Sequence, residues 1–206
     1  TCSGMIIITS LLLLLALSIA VWYKYYYLYS LTKARINAPG YYKNTHVVIT
    51  GATSGIGEGL VHKYAQGGAK LVIAARRENE LNRVKNECKV KYGNDHVHVI
   101  VCDLSNEQDC ERLIQQSLQK LDQRIDVLVL NAGLGSLLRF RDVKDLTGHH
   151  QVMNVNYWGC VNPVFYALPH LKKQQNGAKI VVVSSVLGKT GTVFRTAYAS
   201  SKHALH

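Results

Sequence analysis

The stretch TGATSGIG at residues 50–57 decides the fold. It follows HVVIT at 46–50, a short apolar run rich in β-branched residues, and precedes an apolar-periodic segment over 56–66. These features predict a strand, a glycine-rich turn and a helix. Such a turn lets backbone amides approach a pyrophosphate at the N-terminus of a helix, although the stretch by itself is also compatible with a merely tight turn.

Small residues in this turn would make room for phosphate groups. Gly51 allows the tight turn, and Gly55 and Gly57 carry no side chain that would block the approach. We predict that five residues of the turn bind a cofactor: Gly51, Ser54, Gly55, Ile56 and Gly57.

The strand and helix pattern repeats along the chain. Apolar runs at 70–75, 96–101, 126–130 and 179–185 alternate with helical segments near 77–91, 106–121 and 142–173, the last interrupted by Gly148. Nearly continuous apolar strands suit a parallel sheet that is covered on both faces. The predicted fold is therefore α/β, a doubly wound, Rossmann-like parallel sheet.

An uncharged apolar segment precedes this domain. Residues 5–21, MIIITSLLLLLALSIAV, together with Trp22 and Tyr23, reach the length of about 20 residues that a helix needs to cross a bilayer. The aromatic run at 22–30 resembles a belt at the membrane interface. We predict a tail at 1–4, a transmembrane anchor at 5–23, a juxtamembrane linker at 24–45 and the α/β domain at 46–206.

The alternative for the apolar segment is a cleaved signal peptide, because Ser18-Ile19-Ala20 resembles a cleavage site. Basic residues follow the segment, and none precedes it; they are Lys24, Lys33, Arg35 and Lys43. The positive-inside rule then predicts a domain that faces the cytosol, with the anchor in a membrane such as the endoplasmic reticulum.

Composition narrows the function classes. The chain has 24 Lys and Arg against 13 Asp and Glu, for a net charge of +11, but the basic residues are scattered, which argues against a nucleic-acid partner. No zinc-type ligand spacing is present, so we predict no metal. Five cysteines without a CxxC pair fit a reducing compartment, with Cys102 and Cys160 as core residues.

Four further motifs follow the turn in order. They are LNAG at 130–133, NVNYWG at 154–159, VVVSSVLGKTG at 181–191 and YASSK at 198–202. Singly, each has a structural interpretation, such as a strand cap or a surface pair. With the G-x-x-x-G-x-G spacing of the turn, their order over residues 46–205 resembles the short-chain dehydrogenase/reductase family. The apolar segment, VVVSSVLGK and AARRENEL are most similar to its membrane-anchored 11β-hydroxysteroid dehydrogenase-like branch.

A tyrosine and a lysine one helical turn apart suggest proton transfer. A tyrosine hydroxyl has an ordinary pKa of about 10, so a cation such as Lys202 is needed to favour the phenolate of Tyr198. The resemblance implies that Tyr198 is the general acid/base, that Lys202 also holds a ribose, and that Ser185, thirteen residues before Tyr198, binds the substrate oxygen. It also implies that Asn156 supports a water-linked proton path to Lys202.

The choice of cofactor is predicted from the end of the second strand. Ala75 stands where an acidic residue would bind the ribose 2′-hydroxyl of NAD, and Arg76 and Arg77 follow. Guanidinium groups suit a 2′-phosphate, so we predict NADP(H), with Arg76 as the main contact. The resemblance adds four cofactor-binding residues: Asp103 at the adenine, and Asn131, Ala132 and Gly133 along the groove.

Family members continue past Y-x-x-x-K with further strands and a substrate-covering segment. We therefore expect that the domain is incomplete at its C-terminus. The predicted function is a membrane-anchored NADP(H)-dependent oxidoreductase that interconverts a hydroxyl and a carbonyl on a hydrophobic small molecule such as a steroid or retinoid. The alternative is a truncated, non-catalytic nucleotide-binding or interaction protein. The resemblance also implies a homodimer through the helices near 142–173 and from 197 onward.

Overall fold

Five parallel strands form one sheet in the computed structural model, which describes residues 2–36, 38 and 40–206, without the side chains of 2–10 and 12. The strand order is β3-β2-β1-β4-β5. The strands are β1 His46–Thr50, β2 Lys70–Ala75, β3 Val97–Val101, β4 Val127–Leu130 and β5 Lys179–Val182. The predicted parallel α/β fold is confirmed, although β5 ends three residues before its predicted end at 185.

Helices cover both faces of the sheet. The α-helices of the described residues are α1 Cys2–Ile36, α2 Gly55–Gln66, α3 Glu78–Tyr92, α4 Glu107–Lys120, α5 Thr147–Met153, α6 Gly159–Leu171 and α7 Thr196–His203. Those that cover the sheet are α2, α3, α4 and α6. Helices α2 and α3 share one apolar core with Val47 and Ile49 of β1, whereas α4 and α6 share the other with Val48. Because both faces are covered, all five residues of β1 are buried, which explains its unbroken apolar sequence.

The predicted core cysteines are confirmed. Cys102 is 1% exposed and Cys160 is 3% exposed, and both belong to the core shared by α4 and α6. The four cysteines whose side chains the structure describes are free thiols.

The strand order reverses on the two sides of β1. Strands β2 and β3 lie on one side, and β4 and β5 on the other. In an open parallel sheet, such a reversal leaves a crevice at the carboxyl ends of the strands. The glycine-rich turn, LNAG and VVVSSVLGKTG lie at strand ends and YASSK lies on α7, so the topology brings these four motifs to this crevice, whereas NVNYWG lies between α5 and α6.

The helical region predicted at 142–173 differs from the structure. A short 3₁₀ turn spans Phe140–Asp142, and the helix begins at Thr147, so Gly148 lies inside its first turn and does not interrupt it. The interruption is a π-helical turn at Asn154–Trp158, between α5 and α6. A π turn occurs as a single wide turn inside a helix that continues on both sides, and the prediction of one helical region did not include it.

Helix α1 runs without a break through the predicted anchor and into the predicted linker. Its side chains from Leu13 to Tyr29 are mostly exposed, with Trp22 at 66% and Tyr25 at 76%. Among the residues that were described, no helix is both long and apolar enough to cross a membrane, and the predicted anchor at 5–23 is thus not confirmed. Residues 37 and 39 of the linker lie outside the described residues.

Candidate active site

A cleft of about 620 Å³ lies at the carboxyl edge of the sheet. Its walls come from the glycine-rich turn, from the segments after β2, β3, β4 and β5, and from α7. Eleven of the predicted site residues line it: Gly51, Ser54, Ile56, Arg76, Arg77, Asp103, Asn131, Ala132, Gly133, Tyr198 and Lys202. Gly55, Gly57, Asn156 and Ser185 are not among its lining residues.

The three glycines of the turn meet different demands. Gly51 and Gly55 have φ angles of +64° and +57°, a backbone region that favours glycine. A Cβ on Gly51 would also lie 2.7 Å from the Cα of Ala132. Gly57 is buried, and a Cβ there would overlap the carbonyl oxygen of Gly51 and the amide of Asn131. The missing side chain of Gly57 therefore lets α2 pack against the strand ends, and the prediction that it also clears space for phosphates stays a prediction.

The N-terminus of α2 opens into the cleft. Ser54 is its N-cap residue, but its hydroxyl makes no capping hydrogen bond and it is exposed. The free amides of a first helical turn and this hydroxyl are donors that suit an anion.

Asn131 fixes the turn to the end of β4. Its Nδ2 donates to the carbonyl oxygens of Thr50 at 3.2 Å and Gly51 at 3.1 Å, and its backbone amide donates to Thr50 Oγ1 at 3.1 Å. Asn131 therefore both lines the groove, as predicted, and holds the glycine-rich turn in place.

The cationic end of the cleft lies beyond β2. Arg76 and Arg77 are both exposed there. Arg77 Nη2 donates to Thr53 Oγ1 at 3.0 Å, which directs this guanidinium towards the glycine-rich turn. Arg76 has no hydrogen bond to any described residue, and its guanidinium is free for a ligand.

Asp103 lies directly after β3, the strand next to β2, and lines the same cleft as Arg76 and Arg77. Its Oδ1 accepts from the amide of Ser105 at 3.0 Å and from the Ser105 hydroxyl at 2.8 Å. Its own amide donates to Asp109 Oδ2 at 2.8 Å. Arg112 beside Asp109 holds the pKa of that carboxyl below its usual range, so Asp109 stays ionised as the acceptor.

Tyr198 and Lys202 come together on α7. Lys202 is 4% exposed, and its Nζ donates to the carbonyl oxygen of Val183 at 3.0 Å and lies 5.9 Å from the ring centroid of Tyr198. An ammonium has three donors, so two have no acceptor among the described residues. The Tyr198 hydroxyl likewise makes no hydrogen bond to them. These unused polar atoms face the cleft and suit a hydroxyl-bearing ligand.

Asn156 lies behind this pair, fully buried in the π turn. Its Oδ1 accepts from the amide of Leu134 at 2.7 Å, while its Nδ2 donates to the Leu134 carbonyl oxygen at 3.0 Å and to Ser201 Oγ at 2.9 Å. Both amide protons are therefore used within the protein. The side chain ties the segment after β4 to α7, and a water-linked path through its Nδ2 has no free donor.

The two serines after β5 differ in placement. Ser184 lines the cleft, and its hydroxyl is 2.9 Å from His206 Nε2. Ser185 is half-buried, and its Oγ accepts from the amide of Leu187 at 3.2 Å as the cap of a 3₁₀ turn at Val186–Gly188. The assignment of Ser185 to the substrate oxygen stays a prediction.

Sequence reasoning missed several lining residues, including Thr53, Leu134, Gly135 and Arg195. Leu134 and Gly135 directly follow the NAG element, and Arg195 precedes Tyr198 by one helical turn. Thr53 lies inside the glycine-rich turn itself, and proximity to a motif was the signal that could have found the other three residues.

A group with metal-ligating atoms lies outside the cleft, between α2 and α3. Ligand atoms of Glu58, His62 and Glu87 lie within 4.8 Å of one another. Arg83 Nη1 donates to both glutamates, at 2.9 Å and 2.8 Å, so a protein cation already bridges the two carboxylates.

The residues of the cleft fit a dinucleotide. The turn offers donors for a pyrophosphate, Asp103 an acceptor for an adenine, and Lys202 two unused donors for ribose hydroxyls. Together with the parallel sheet whose strand order reverses at β1, these features are typical of a dinucleotide-binding domain of the Rossmann type.

The comparison with known families agrees with this class. Residues 45–206 match the family model described as short chain dehydrogenase. The chain belongs to the short-chain dehydrogenase/reductase family. It is 38% identical over 203 residues to a dehydrogenase/reductase SDR family protein 7-like protein from Dictyostelium discoideum, covering 97% of the chain and 63% of that protein. It is 40% identical over 159 residues to 11-beta-hydroxysteroid dehydrogenase-like 4A from Arabidopsis thaliana, covering 77% of the chain and 52% of that protein.

Solved structures share the fold. A short chain dehydrogenase from Mycobacterium smegmatis superposes with a TM-score of 0.76 at 30% identity, over 83% of this chain and 70% of that one. An alcohol dehydrogenase from Thermococcus sibiricus, complexed with 5-hydroxy-NADP, gives 0.72 at 28% identity, over 78% and 66%. A dehydrogenase from Burkholderia phymatum in complex with NAD gives 0.75 at 29% identity, over 80% and 57%. The chain spans about half to two thirds of the length of these two curated relatives.

Proposed function

We propose that the protein is an NADP(H)-dependent oxidoreductase that interconverts a hydroxyl and a carbonyl group on a hydrophobic substrate. The observation that supports this most is the Tyr198 hydroxyl, which is unpaired and lines the same cleft as the glycine-rich turn and Lys202. A bound nicotinamide would supply or accept the hydride. Tyr198 would give its proton to the carbonyl oxygen during reduction and take it back during oxidation.

The other residues would prepare this step. The Lys202 ammonium lies 5.9 Å from the ring centroid of Tyr198, and its two unused donors would hold ribose hydroxyls. A serine after β5 would hydrogen-bond the substrate oxygen, and Asn156 would keep α7 in register with the segment after β4.

The activity test is NADPH-dependent reduction of a panel of steroid and retinoid carbonyls by the protein at its full natural length. We expect Tyr198→Phe to lower turnover by about a hundredfold or more, because the proton donor is lost, while NADPH affinity changes little. NADPH binding without turnover of any carbonyl would favour the non-catalytic alternative, and equal turnover by the variant would refute the role of Tyr198.

The preference for NADP(H) rests on Arg76, whose guanidinium is free at the end of β2. We expect Arg76→Ala to weaken NADPH binding by about tenfold or more and to leave NADH binding nearly unchanged, since NADH has no 2′-phosphate. Lys85→Ala, which removes a cation from α3 outside the cleft lining, serves as the control. Equal loss for both cofactors would refute the preference.

The proposed location is a membrane, the endoplasmic reticulum, with the catalytic domain on the cytosolic side. Its support is the apolar sequence at 5–21 and the exposed aromatic side chains of α1, from Trp22 to Tyr29. Alkaline carbonate extraction and protease protection of microsomes test this. Release of the protein by carbonate would argue against an embedded anchor.

A further inference from the structure

Arg195 forms part of a strap across the mouth of the cleft. It immediately precedes α7, is half-buried, and its Nη1 donates to the carbonyl oxygen of Ser136 at 2.9 Å. Beside it, the amide of Leu138 donates to the carbonyl oxygen of Phe194 at 3.0 Å. The segment before α7 is thus joined to the segment after β4, and this fixes the guanidinium on the wall that also holds Tyr198.

Most of the donor capacity of Arg195 is unused. A guanidinium has five N–H donors, and the structure gives this one a single acceptor. No carboxylate of the described residues lies within ion-pair distance of it. The remaining N–H donors of this cation are therefore available to an anionic ligand in the cleft.

Charges along the cleft favour an anion at this end. Four cations line it, Arg76, Arg77, Arg195 and Lys202, against a single acidic side chain, Asp103. A dinucleotide would place its phosphates near the glycine-rich turn and the two arginines after β2. Arg195 lies at the other end, near Tyr198, and its charge would remain uncompensated.

A second, smaller cavity adjoins this end. Its volume is about 320 Å³, and it shares Leu134 and Gly135 with the main cleft. Leu138, Val152 and Phe194 contribute apolar surface to it. Tyr198 and Arg195 line the main cleft, and the two cavities meet at Leu134 and Gly135, so an apolar body in the smaller cavity would lie beside the cleft wall that carries both side chains.

We propose that Arg195 binds a carboxylate of the substrate, so that the protein acts on apolar oxo acids or hydroxy acids. This inference rests on the proposed function, and it narrows the substrate class of the same site. Arg195 would hold the acid group through a charge-assisted hydrogen bond while Tyr198 exchanges the proton of the reacting oxygen.

The test compares a matched pair of ketones, 4-oxo-4-phenylbutanoate and its methyl ester, with the full-length protein and NADPH. We expect the wild type to prefer the acid, and Arg195→Gln to lower the acid-to-ester ratio of kcat/KM by about 10- to 100-fold, mainly through KM. Arg195→Lys keeps the charge and should retain part of the preference. Arg141→Gln removes an equal charge outside both cavities and should keep the wild-type ratio.

Four outcomes would overturn the assignment. These are a wild type without acid preference, an unchanged ratio in Arg195→Gln, an equal fall in Arg141→Gln, or no rescue of the preference by Arg195→Lys. The ester carries no carboxylate for Arg195, so its reduction tests the proposed function alone. If the wild type reduces the ester and Tyr198→Phe does not, the proposed function is supported in each of these four cases. If the wild type reduces neither ketone, the proposed function fails for these probes. Calorimetric binding of the two probes to the NADPH-loaded protein then decides, since loss of acid binding in Arg195→Gln supports the role of Arg195 and equal binding refutes it.

Discussion

The glycines of one turn respond to different constraints at the scale of single residues. Gly51 and Gly55 need positive φ angles, whereas Gly57 needs the absence of a Cβ because α2 lies against Gly51 and Asn131. The sequence predicted that all three are required. It did not distinguish a conformational requirement from a packing requirement, because that difference depends on residues about 75 positions away in the chain.

Gly57→Ala should therefore destabilise the protein without any ligand present. The added Cβ would displace backbone atoms, at a cost of about 1–3 kcal/mol in the free energy of unfolding. Gly59→Ala is the matched control, because it lies in the same helix and its Cβ would meet nothing within 4 Å. It should stabilise the protein by up to about 1 kcal/mol. Urea denaturation of both variants measures the difference, and equal stabilities would contradict the packing argument.

The two serines after β5 give a second test at this scale. We expect Ser185→Ala to lower kcat by about tenfold or more, because one donor to the substrate oxygen is lost, and Ser184→Ala to change it by less. The spacing to Tyr198 supports Ser185, whereas the cleft lining includes Ser184. Steady-state kinetics with one ketone compares the kcat of the two variants. A larger loss in Ser184→Ala would assign the hydrogen bond to the substrate oxygen to Ser184.

At the scale of elements, the sequence predicted the strands and most helices because each is a continuous apolar or periodic run. The predicted bounds of β1 and β2 match the structure, and those of α2, α3 and α4 differ by single residues. The π turn at Asn154–Trp158 was missed. Its cause is tertiary, since Asn156 turns inward to bind Leu134 and Ser201, and neither partner is near it in sequence.

Asn156→Ala tests this tie. Removing the amide leaves the backbone amide and carbonyl of Leu134 without their partner and takes one donor from the Ser201 hydroxyl, which keeps its own hydrogen bond to the carbonyl oxygen of Tyr198. We expect a loss of about 1–3 kcal/mol in unfolding free energy, together with lower kcat. Asn154→Ala, an exposed residue of the same turn, is the control and should change little. Calorimetry and kinetics together measure both effects. Full stability of Asn156→Ala would show that the hydrogen bonds are dispensable.

At the scale of the whole molecule, the sheet is unevenly covered. Strand β1 is entirely buried, and the edge strand β3 keeps Val97 and Ile100 buried, but Ile180, Val181 and Val182 of β5 are 39–41% exposed. The sequence predicted five similar strands, because an apolar run does not reveal which strand the rest of the fold covers.

We expect this difference to appear in hydrogen exchange. Amides of β5 should exchange faster than those of β1 and β3, since local opening of a poorly covered edge costs less free energy. Mass spectrometry of peptides that span each strand in the 206-residue chain measures this. Comparable protection of β5 and β1 would show that the exposed strand is held by contacts other than side-chain burial.

The contacts that hold α7 also affect the order in which the sites form during synthesis. They are the hydrogen bond from Lys202 to Val183 and the contacts from Leu134 through Asn156 to Ser201. The glycine-rich turn is held by Asn131, which leaves the ribosome about 70 residues before Lys202. Because chains emerge from their N-terminus, a nascent protein would be able to hold a nucleotide before it has any means to use it. The nucleotide site would thus form before the reactive site, and a nucleotide would already be bound when α7 docks.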